Sequence, residues 1–252
     1  MDALPPIARL SLVALGRAVG DRGGAALDPV AAWVLDQAPE VAPEGVASAA
    51  LATILARTRL VDGMLLEEIE RARAAGARLC LWSVGGGLDA RWQRLGSGFG
   101  GVVAEVREVD TPEVLSRKDH WLARSPFAAT WSRVGRRPHP LSGWTVRPRS
   151  GTRPLVVAEG LAGRGSPSSL ERLLQRIRYE TPEAVILLGL PGQPPEAPPD
   201  PWTARRFARL GWAIREDVRR APRGPLVGPE GEEVCPGLYP LRVLSLVGRP
   251  RP

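Results

Sequence analysis

The sequence of 252 residues contains no asparagine and a single lysine, Lys118, although its basic residues number 34. Arginine therefore supplies nearly all of the positive charge, a bias typical of a GC-rich genome. The formal net charge is +7 and the isoelectric point is about 10.7, values that often accompany nucleic-acid binding. Because the arginines are scattered and interspersed with Glu and Asp, this charge does not indicate a nucleic acid as the partner.

Cysteine and histidine are scarce as well. The two cysteines are Cys80, within an apolar run, and Cys235, in a Gly- and Pro-rich segment, and the two histidines are His120 and His139. Two such cysteines do not make a disulfide framework. No zinc site can be assembled from these four positions, so we expect no metal ion.

Targeting and membrane-spanning signals are also missing. The first residues lack the basic region and the cleavage site of a signal peptide, and no apolar run reaches the length of a membrane-spanning helix. The sequence therefore predicts a cytoplasmic protein with no membrane partner.

The remaining pattern alternates between strands and helices. The apolar fraction of 44% is enough for one α/β domain with additions. Short apolar runs predict strands over residues 79–84, 102–109, 131–141, 155–158, 184–190, 212–218 and 241–247. Periodicity and capping residues predict helices over residues 88–95, 112–124, 166–179 and 202–210. The order of these elements favours an open, mostly parallel sheet of seven strands.

About 75 residues precede the first predicted strand. They contain an amphipathic pattern over residues 4–20 and a short helix over 30–35, for which Asp28 is the N-cap and Pro29 the first helical residue. A longer helix is predicted over 46–74, with an interruption near Arg57. We interpret residues 1–75 as an N-terminal helical cap and residues 76–252 as the core, with a Pro-rich loop near 191–201.

Three glycines, Gly85, Gly86 and Gly87, follow the strand predicted over 79–84. A strand, a glycine turn and a helix bring bare backbone close to a nucleotide-like ligand. The next predicted strand ends at Asp110, near the spacing at which a carboxylate binds ribose hydroxyls. We therefore predict a nucleoside-binding site over residues 85–110. An NAD(P)-dependent oxidoreductase uses a related pattern, but Ala90 stands where the third glycine of Gly-x-Gly-x-x-Gly belongs.

Several motifs occur in order along the chain: Asp28-Pro29-Val30-Ala31, Arg57-Thr58-Arg59-Leu60-Val61-Asp62, Gly85-Gly86-Gly87-Leu88-Asp89-Ala90-Arg91, Glu108-Val109-Asp110-Thr111-Pro112-Glu113-Val114-Leu115 with Lys118, and Ala158-Glu159-Gly160-Leu161. From residue 28 to about residue 190 the chain resembles the leucine carboxyl methyltransferase family and its bacterial relatives. The resemblance implies a class I, Rossmann-like methyltransferase fold. It also implies S-adenosylmethionine (SAM) as the cofactor and O-methylation as the reaction.

The same resemblance implies roles for individual residues. Arg57 would hold the carboxylate of SAM, and the three glycines would line its methionine portion. Asp110, with Thr111 beside it, would bind the ribose hydroxyls. Glu159, followed by Gly160, would face the amino end of the cofactor.

Two segments depart from the family pattern. Leu141 and Ser142 stand at the adenine position, where the family usually has an Asp at the place of Ser142. Ala162-Gly163-Arg164-Gly165 replaces an aromatic-Leu pair, and Arg164 is the candidate substrate contact there. These departures leave open a SAM-fold protein that has lost catalysis and serves as a binding or partner module.

The acceptor is predicted to be a carboxylate, or a hydroxyl, of a small molecule or peptide. A carboxylate is ionised at neutral pH and needs no general base, whereas a hydroxyl would need one, for which His139 is the candidate. We expect His120 to be a surface residue within a helix. Trp33, Trp144 and Trp202 are candidates for lining the acceptor pocket.

Overall fold

The computed structural model describes residues 28–39, 48–128, 137–140, 148, 150–159, 167–190, 202–220, 226–227, 233–234 and 241–248. Its α-helices are α1 (Pro29–Gln37), α2 (Ser48–Ala74), α3 (Arg91–Leu95), α4 (Pro112–Arg124), α5 (Pro167–Glu180) and α6 (Ala204–Arg209). Its strands are β1 (Leu79–Val84), β2 (Val103–Asp110), β3 (Arg137–Pro140), β4 (Arg153–Ala158), β5 (Val185–Leu190), β6 (Trp212–Arg220), β7 (Leu226–Val227), β8 (Glu233–Val234) and β9 (Leu241–Gly248).

Seven of the strands form one mixed sheet in the order β3-β2-β1-β4-β5-β9-β6, and β7 pairs with β8 separately. The strands from β3 to β5 pair in parallel, whereas β9 runs antiparallel to both of its neighbours. The predicted α/β class is therefore confirmed. The chain leaves β1 towards β2 on one side and returns to β4 on the other, so a crevice opens at the carboxyl ends of β1 and β4, where open α/β sheets bind ligands.

Both faces of the sheet are covered, which is why β1 reads as a continuous apolar run. All six residues of β1 are buried. Cys80, Trp82 and Val84 belong to the core that α5 and α6 cover, and Leu79 and Leu81 belong to the core that α2 covers. A third apolar cluster joins α1, α4 and the segment after the glycines, so α1 is attached directly beside the crevice.

Helix α2 is continuous from Ser48 to Ala74, so the interruption predicted near Arg57 is wrong. Apolar residues on both sides of that position are buried: Leu55 packs in the cluster with α1, and Val61 and Leu65 pack on the sheet. Burial on both sides stabilises a continuous helix despite its weak amphipathic pattern. One consequence is that Arg57 is carried on a rigid element.

Further differences from the sequence prediction concern α3, α6 and the segment before β9. Helix α3 begins at Arg91 and not at residue 88, because the residues before it form a turn with an Asp89 N–H to Gly86 carbonyl bond of 3.3 Å. Helix α6 begins at Ala204, after Thr203, whose hydroxyl accepts from the Arg206 N–H. The segment between β6 and β9 contains the β7–β8 pair, which the Gly/Pro-rich composition did not predict.

The predicted helix over residues 4–20, residues 131–136 of the third predicted strand and the Pro-rich loop lie outside the described residues, and the division into cap and core stays a prediction. No helix among the described residues is both long enough and apolar enough to cross a membrane.

Candidate functional site

Three strands deliver the predicted site residues to one edge of the sheet. Gly85 follows β1, Asp110 ends β2 and Glu159 follows β4. Gly85 and Gly87 have φ angles of 67° and 60°, a left-handed conformation that glycine adopts without strain. The backbone can therefore turn sharply beneath the crevice, and the Gly85 N–H donates to the Val109 carbonyl at 2.8 Å.

Asp110 is buried and holds the glycine turn in place. Its Oδ2 accepts a 2.8 Å hydrogen bond from the Gly87 N–H, and its Oδ1 accepts a 2.9 Å bond from the Thr111 N–H. Thr111 in turn is the N-cap of α4, through its hydroxyl and the Val114 N–H. Each carboxylate oxygen can accept a second hydrogen bond, so Asp110 can bind ligand hydroxyls while it fixes the turn.

The residues after the turn are held by two further buried side chains. Lys118, the single lysine, donates to the Asp89 carbonyl at 2.5 Å, and Asp28 accepts a 2.9 Å bond from the Ala90 N–H through Oδ2. Lys118 also pairs with Glu108 at 2.5 Å, and Glu108 accepts from Trp92 Nε1 at 3.0 Å. Asp28, Glu108 and Lys118 therefore share a structural role, because their contacts hold residues 87–92 in place.

Arg91 stands at the centre of the acidic side chains of the site and is only 1% exposed. Its Nε donates to Asp62 Oδ1 at 2.6 Å, and its Nη2 lies 3.1 Å from Asp89 Oδ2 and 2.5 Å from Glu159 Oε2. Burial alone would lower the pKa of Arg91, but the carboxylates of Asp89, Glu159 and Asp62 raise it well above its ordinary value. Arg91 is therefore a permanent cation that joins α2, the glycine turn and β4.

Arg57 and Glu159 face each other, with Arg57 Nε and Glu159 Oε1 3.6 Å apart. Neither of these two buried atoms has a hydrogen-bond partner within the described part of the chain. Unpaired buried groups are costly, so their orientation towards one another suits a ligand that bonds to both. Gly189 of β5 lies beside both side chains, and a Cβ at that position would make ordinary van der Waals contact with Arg57 Cδ at 3.4 Å and Glu159 Cγ at 3.5 Å.

The structure thus brings together Arg57 with Glu159 and the glycine turn with Asp110 and Thr111, and Arg91 links the two groups. Strand β3 pairs His139 with Val109, so the backbone of His139 lies one position from Asp110. The predicted residues Leu141, Ser142, Gly160, Arg164 and Trp144 lie outside the described residues.

The remaining candidates are distributed over the surface and the core. His120 is exposed on α4, as predicted. Trp202 is 5% exposed and stacks on Phe207 in the core beneath α5 and α6, and Trp33 packs on the α1 cluster. These two tryptophans therefore act in packing.

Sequence reasoning missed four residues of the site. Asp62, Asp89 and Arg91 stand within the quoted motifs, which was a signal, but no role was assigned to them. Gly189 lies in an apolar strand, where nothing in the pattern marks a glycine that is adjacent to charged side chains.

Comparison with known proteins agrees with this geometry. A family model for leucine carboxyl methyltransferases matches residues 17–145, just over half of the chain. The match includes Arg57, the glycine turn and Asp110, whereas Glu159 lies beyond it. No curated protein matches the sequence significantly.

The chain is also similar to several solved structures. The glycopeptide N-methyltransferase MtfA is 16% identical, with 73% of this chain and 95% of that chain covered and a TM-score of 0.47. The SAM-dependent methyltransferase SibL is 16% identical, with 96% and 74% covered and a TM-score of 0.47. A SAM-dependent methyltransferase from Aquifex aeolicus is 12% identical, with 74% and 89% covered and a TM-score of 0.43.

The assignment follows from the family match together with the motifs that meet at the carboxyl edge of the sheet. The chain belongs to the leucine carboxyl methyltransferase family and is a SAM-dependent methyltransferase.

Proposed function

We propose that this protein transfers the methyl group of SAM to an oxygen of a carboxylate, or of a hydroxyl, in a small molecule or peptide. The observation that carries the proposal is the Arg57–Glu159 pair at the switch point of the sheet. One end of SAM is an α-amino acid zwitterion, and this pair offers a cation for its carboxylate and an anion for its ammonium group. Arg57 Nε and Glu159 Oε1, which have no hydrogen bond within the described residues, support that fit.

The ribose end of the cofactor fits the other half of the site. The carboxylate of Asp110 is oriented by two backbone N–H groups and retains acceptor capacity for vicinal hydroxyls. Gly85, Gly86 and Gly87 present no side chain between these two halves. Leu141, Ser142 and Gly160 remain proposed contacts through the family resemblance, and Arg164 remains the proposed substrate contact.

The chemistry that SAM supplies is an electrophilic methyl group on a sulfonium. The protein's own contribution is to hold both reactants in line and to exclude water, and such alignment provides up to about 7–11 kcal/mol in favourable systems. Carboxylate acceptors arrive ionised, so no residue has to remove a proton. With a hydroxyl acceptor, His139 is the proposed base, since its backbone lies at the edge of the site.

The acceptor class can be tested with methyl-labelled SAM and extracts separated into small-molecule and peptide fractions. We expect label that is released as methanol by mild alkali, because methyl esters hydrolyse under these conditions and methyl ethers and methylamines do not. Label that resists alkali and is bound to nitrogen contradicts O-methylation. Tight SAM binding with no transfer to any fraction contradicts the catalytic proposal and favours a binding module.

A further inference from the structure

Arg91 is buried at the meeting point of three elements, with only 1% of its surface exposed. Its guanidinium contacts Asp62 on α2, Asp89 after the glycine turn and Glu159 after β4. A planar guanidinium with several fixed donors can serve three carboxylates in different directions, whereas the ammonium of lysine is a single point charge. The arrangement therefore depends on arginine and not only on a positive charge.

The two oxygens of the Glu159 carboxylate have different neighbours. Oε2 is bound by Arg91 at 2.5 Å, and Oε1 faces Arg57 without a hydrogen bond within the described part of the chain. An untethered carboxylate can rotate about its last side-chain bond and present either oxygen. With Oε2 bound by Arg91, Oε1 is the oxygen that faces Arg57.

The contact with Asp62 ties the same arginine to the helix that carries Arg57. Arg57 and Asp62 lie five positions apart on α2, so the 2.6 Å bond between Arg91 and Asp62 fixes this helix against the residues after the glycine turn. Arg91 thereby sets the distance between Arg57 and Glu159 from both sides.

We propose that Arg91 is a positioning residue for the amino group of the cofactor. It orients Glu159 so that Oε1 accepts from the ammonium group, and it does not touch the cofactor itself. This inference rests on the proposed placement of the amino acid end of SAM between Arg57 and Glu159.

The test is calorimetric titration of the full-length protein with S-adenosylhomocysteine and with its deamino analogue, which lacks the α-amino group. In Arg91→Lys we expect the affinity for S-adenosylhomocysteine to fall about ten-fold or more, the size of one lost charged hydrogen bond. The deamino analogue, already weak in the wild type, should change by less than about two-fold, because it makes no bond to Glu159.

The matched control is Arg215→Lys. Arg215 also pairs with a buried glutamate of α2, Glu68, and with Ser245, but it lies on β6, in the sheet's edge strand. This variant should leave both affinities unchanged. Equal losses for the two ligands in Arg91→Lys, or no loss for either, overturn the inference.

A second variant covers the case in which Arg91→Lys does not fold. Asp62→Asn removes the charged anchor of Arg91 on α2 and leaves Arg91 and Glu159 in place, and we expect the same selective loss at reduced size. An unselective result in Asp62→Asn overturns the inference as well. A wild-type protein that binds neither ligand instead overturns the proposed function, so the two failures are distinguishable.

Discussion

The carboxylate of Asp110 has two tasks, because the same oxygens that accept from Gly87 and Thr111 face the proposed ribose position. Asp110→Asn keeps the shape but replaces one oxygen by an NH₂ group, which is directed at one of these N–H donors. We expect the affinity for SAM to fall by about 1–3 kcal/mol, as measured by calorimetric titration.

The control for this change is Glu113→Gln. Glu113 lies in the first turn of the same helix and is exposed, so its substitution removes the same charge without disturbing the turn. Equal SAM affinities of Asp110→Asn and Glu113→Gln would remove Asp110 from the site.

Cys80 is fully buried in β1, and burial raises the pKa of its thiol to about 11, with Glu105 adding to this effect and Arg107 opposing it. Because the pKa is raised, the thiol is almost entirely protonated at neutral and mildly alkaline pH, where the reactive thiolate is scarce. In a Cys235→Ser variant we expect no reaction of the native protein with a thiol reagent and full reaction in guanidinium. Rapid labelling of the native protein contradicts this account.

For single residues, the sequence predicted a site residue where a charged side chain stands at the end of a strand. Asp110 was predicted in that way, and Arg57 and Glu159 were predicted through their motifs. Arg91 could not be given its role, because that role exists only when carboxylates from positions 62, 89 and 159 meet in space.

Among the elements, the glycine turn is constrained by space as well as by backbone conformation. A Cβ on Gly86 would lie 2.4 Å from Ser83 Oγ, and the φ angle of Gly86 is not positive, unlike those of Gly85 and Gly87. We expect Gly86→Ala to lower the free energy of unfolding by about 1–3 kcal/mol. Adding Ser83→Ala should restore most of that loss, because the clash is with the hydroxyl. Urea unfolding of the two single variants and the double variant measures the coupling, and strictly additive losses contradict the assigned contact.

The buried side chain of Asp28 forms hydrogen bonds both to helix α1 and to the segment after the glycine turn. Asp28 Oδ1 accepts from Val30 and Ala31 at 3.1 Å each, and Oδ2 accepts from Ala90. Asp28→Ser retains a helix cap but loses the second acceptor. We expect a loss of about 1–2 kcal/mol in the free energy of unfolding, measured in urea.

A matched change of cap is Thr203→Ser at α6, where the hydroxyl accepts from the Arg206 N–H. This substitution preserves the cap and should change stability much less than Asp28→Ser. If both variants unfold alike, Asp28 acts as a cap alone and does not hold the turn.

Local signals predicted most of the elements but not all of their boundaries. The Asp28-Pro29 pair correctly marked the start of α1, since capping is a property of a few adjacent residues. The start of α3 was wrong, because the turn from Gly86 to Ala90 is held by the distant residues Asp28 and Lys118. The interruption predicted in α2 near Arg57 was wrong for the same reason, because burial against other elements stabilises a continuous helix there.

For the whole molecule, the alternation of strands and helices was enough to predict an α/β fold. The insertion of β9 between β5 and β6 is a matter of non-local pairing, which local periodicity does not specify. The consequence for function is that motifs more than a hundred positions apart in sequence, from Arg57 to Glu159, converge at one edge of the sheet. We propose that this edge binds the amino acid end of SAM.

The most direct test of that claim compares SAM with decarboxylated SAM in the wild type, in Arg57→Ala and in Arg59→Ala. Arg59 is an exposed arginine two residues further along the same helix, so its substitution controls for charge and helix propensity. Arg57 is partly buried beside Glu159, and a guanidinium there would bind the carboxylate of SAM with two parallel hydrogen bonds.

Calorimetric titration should show that Arg57→Ala loses about 2–4 kcal/mol of binding free energy for SAM and almost none for decarboxylated SAM, while Arg59→Ala binds both ligands as the wild type does. If SAM and decarboxylated SAM lose affinity equally in Arg57→Ala, Arg57 supports the helix and not the cofactor, and the account is contradicted.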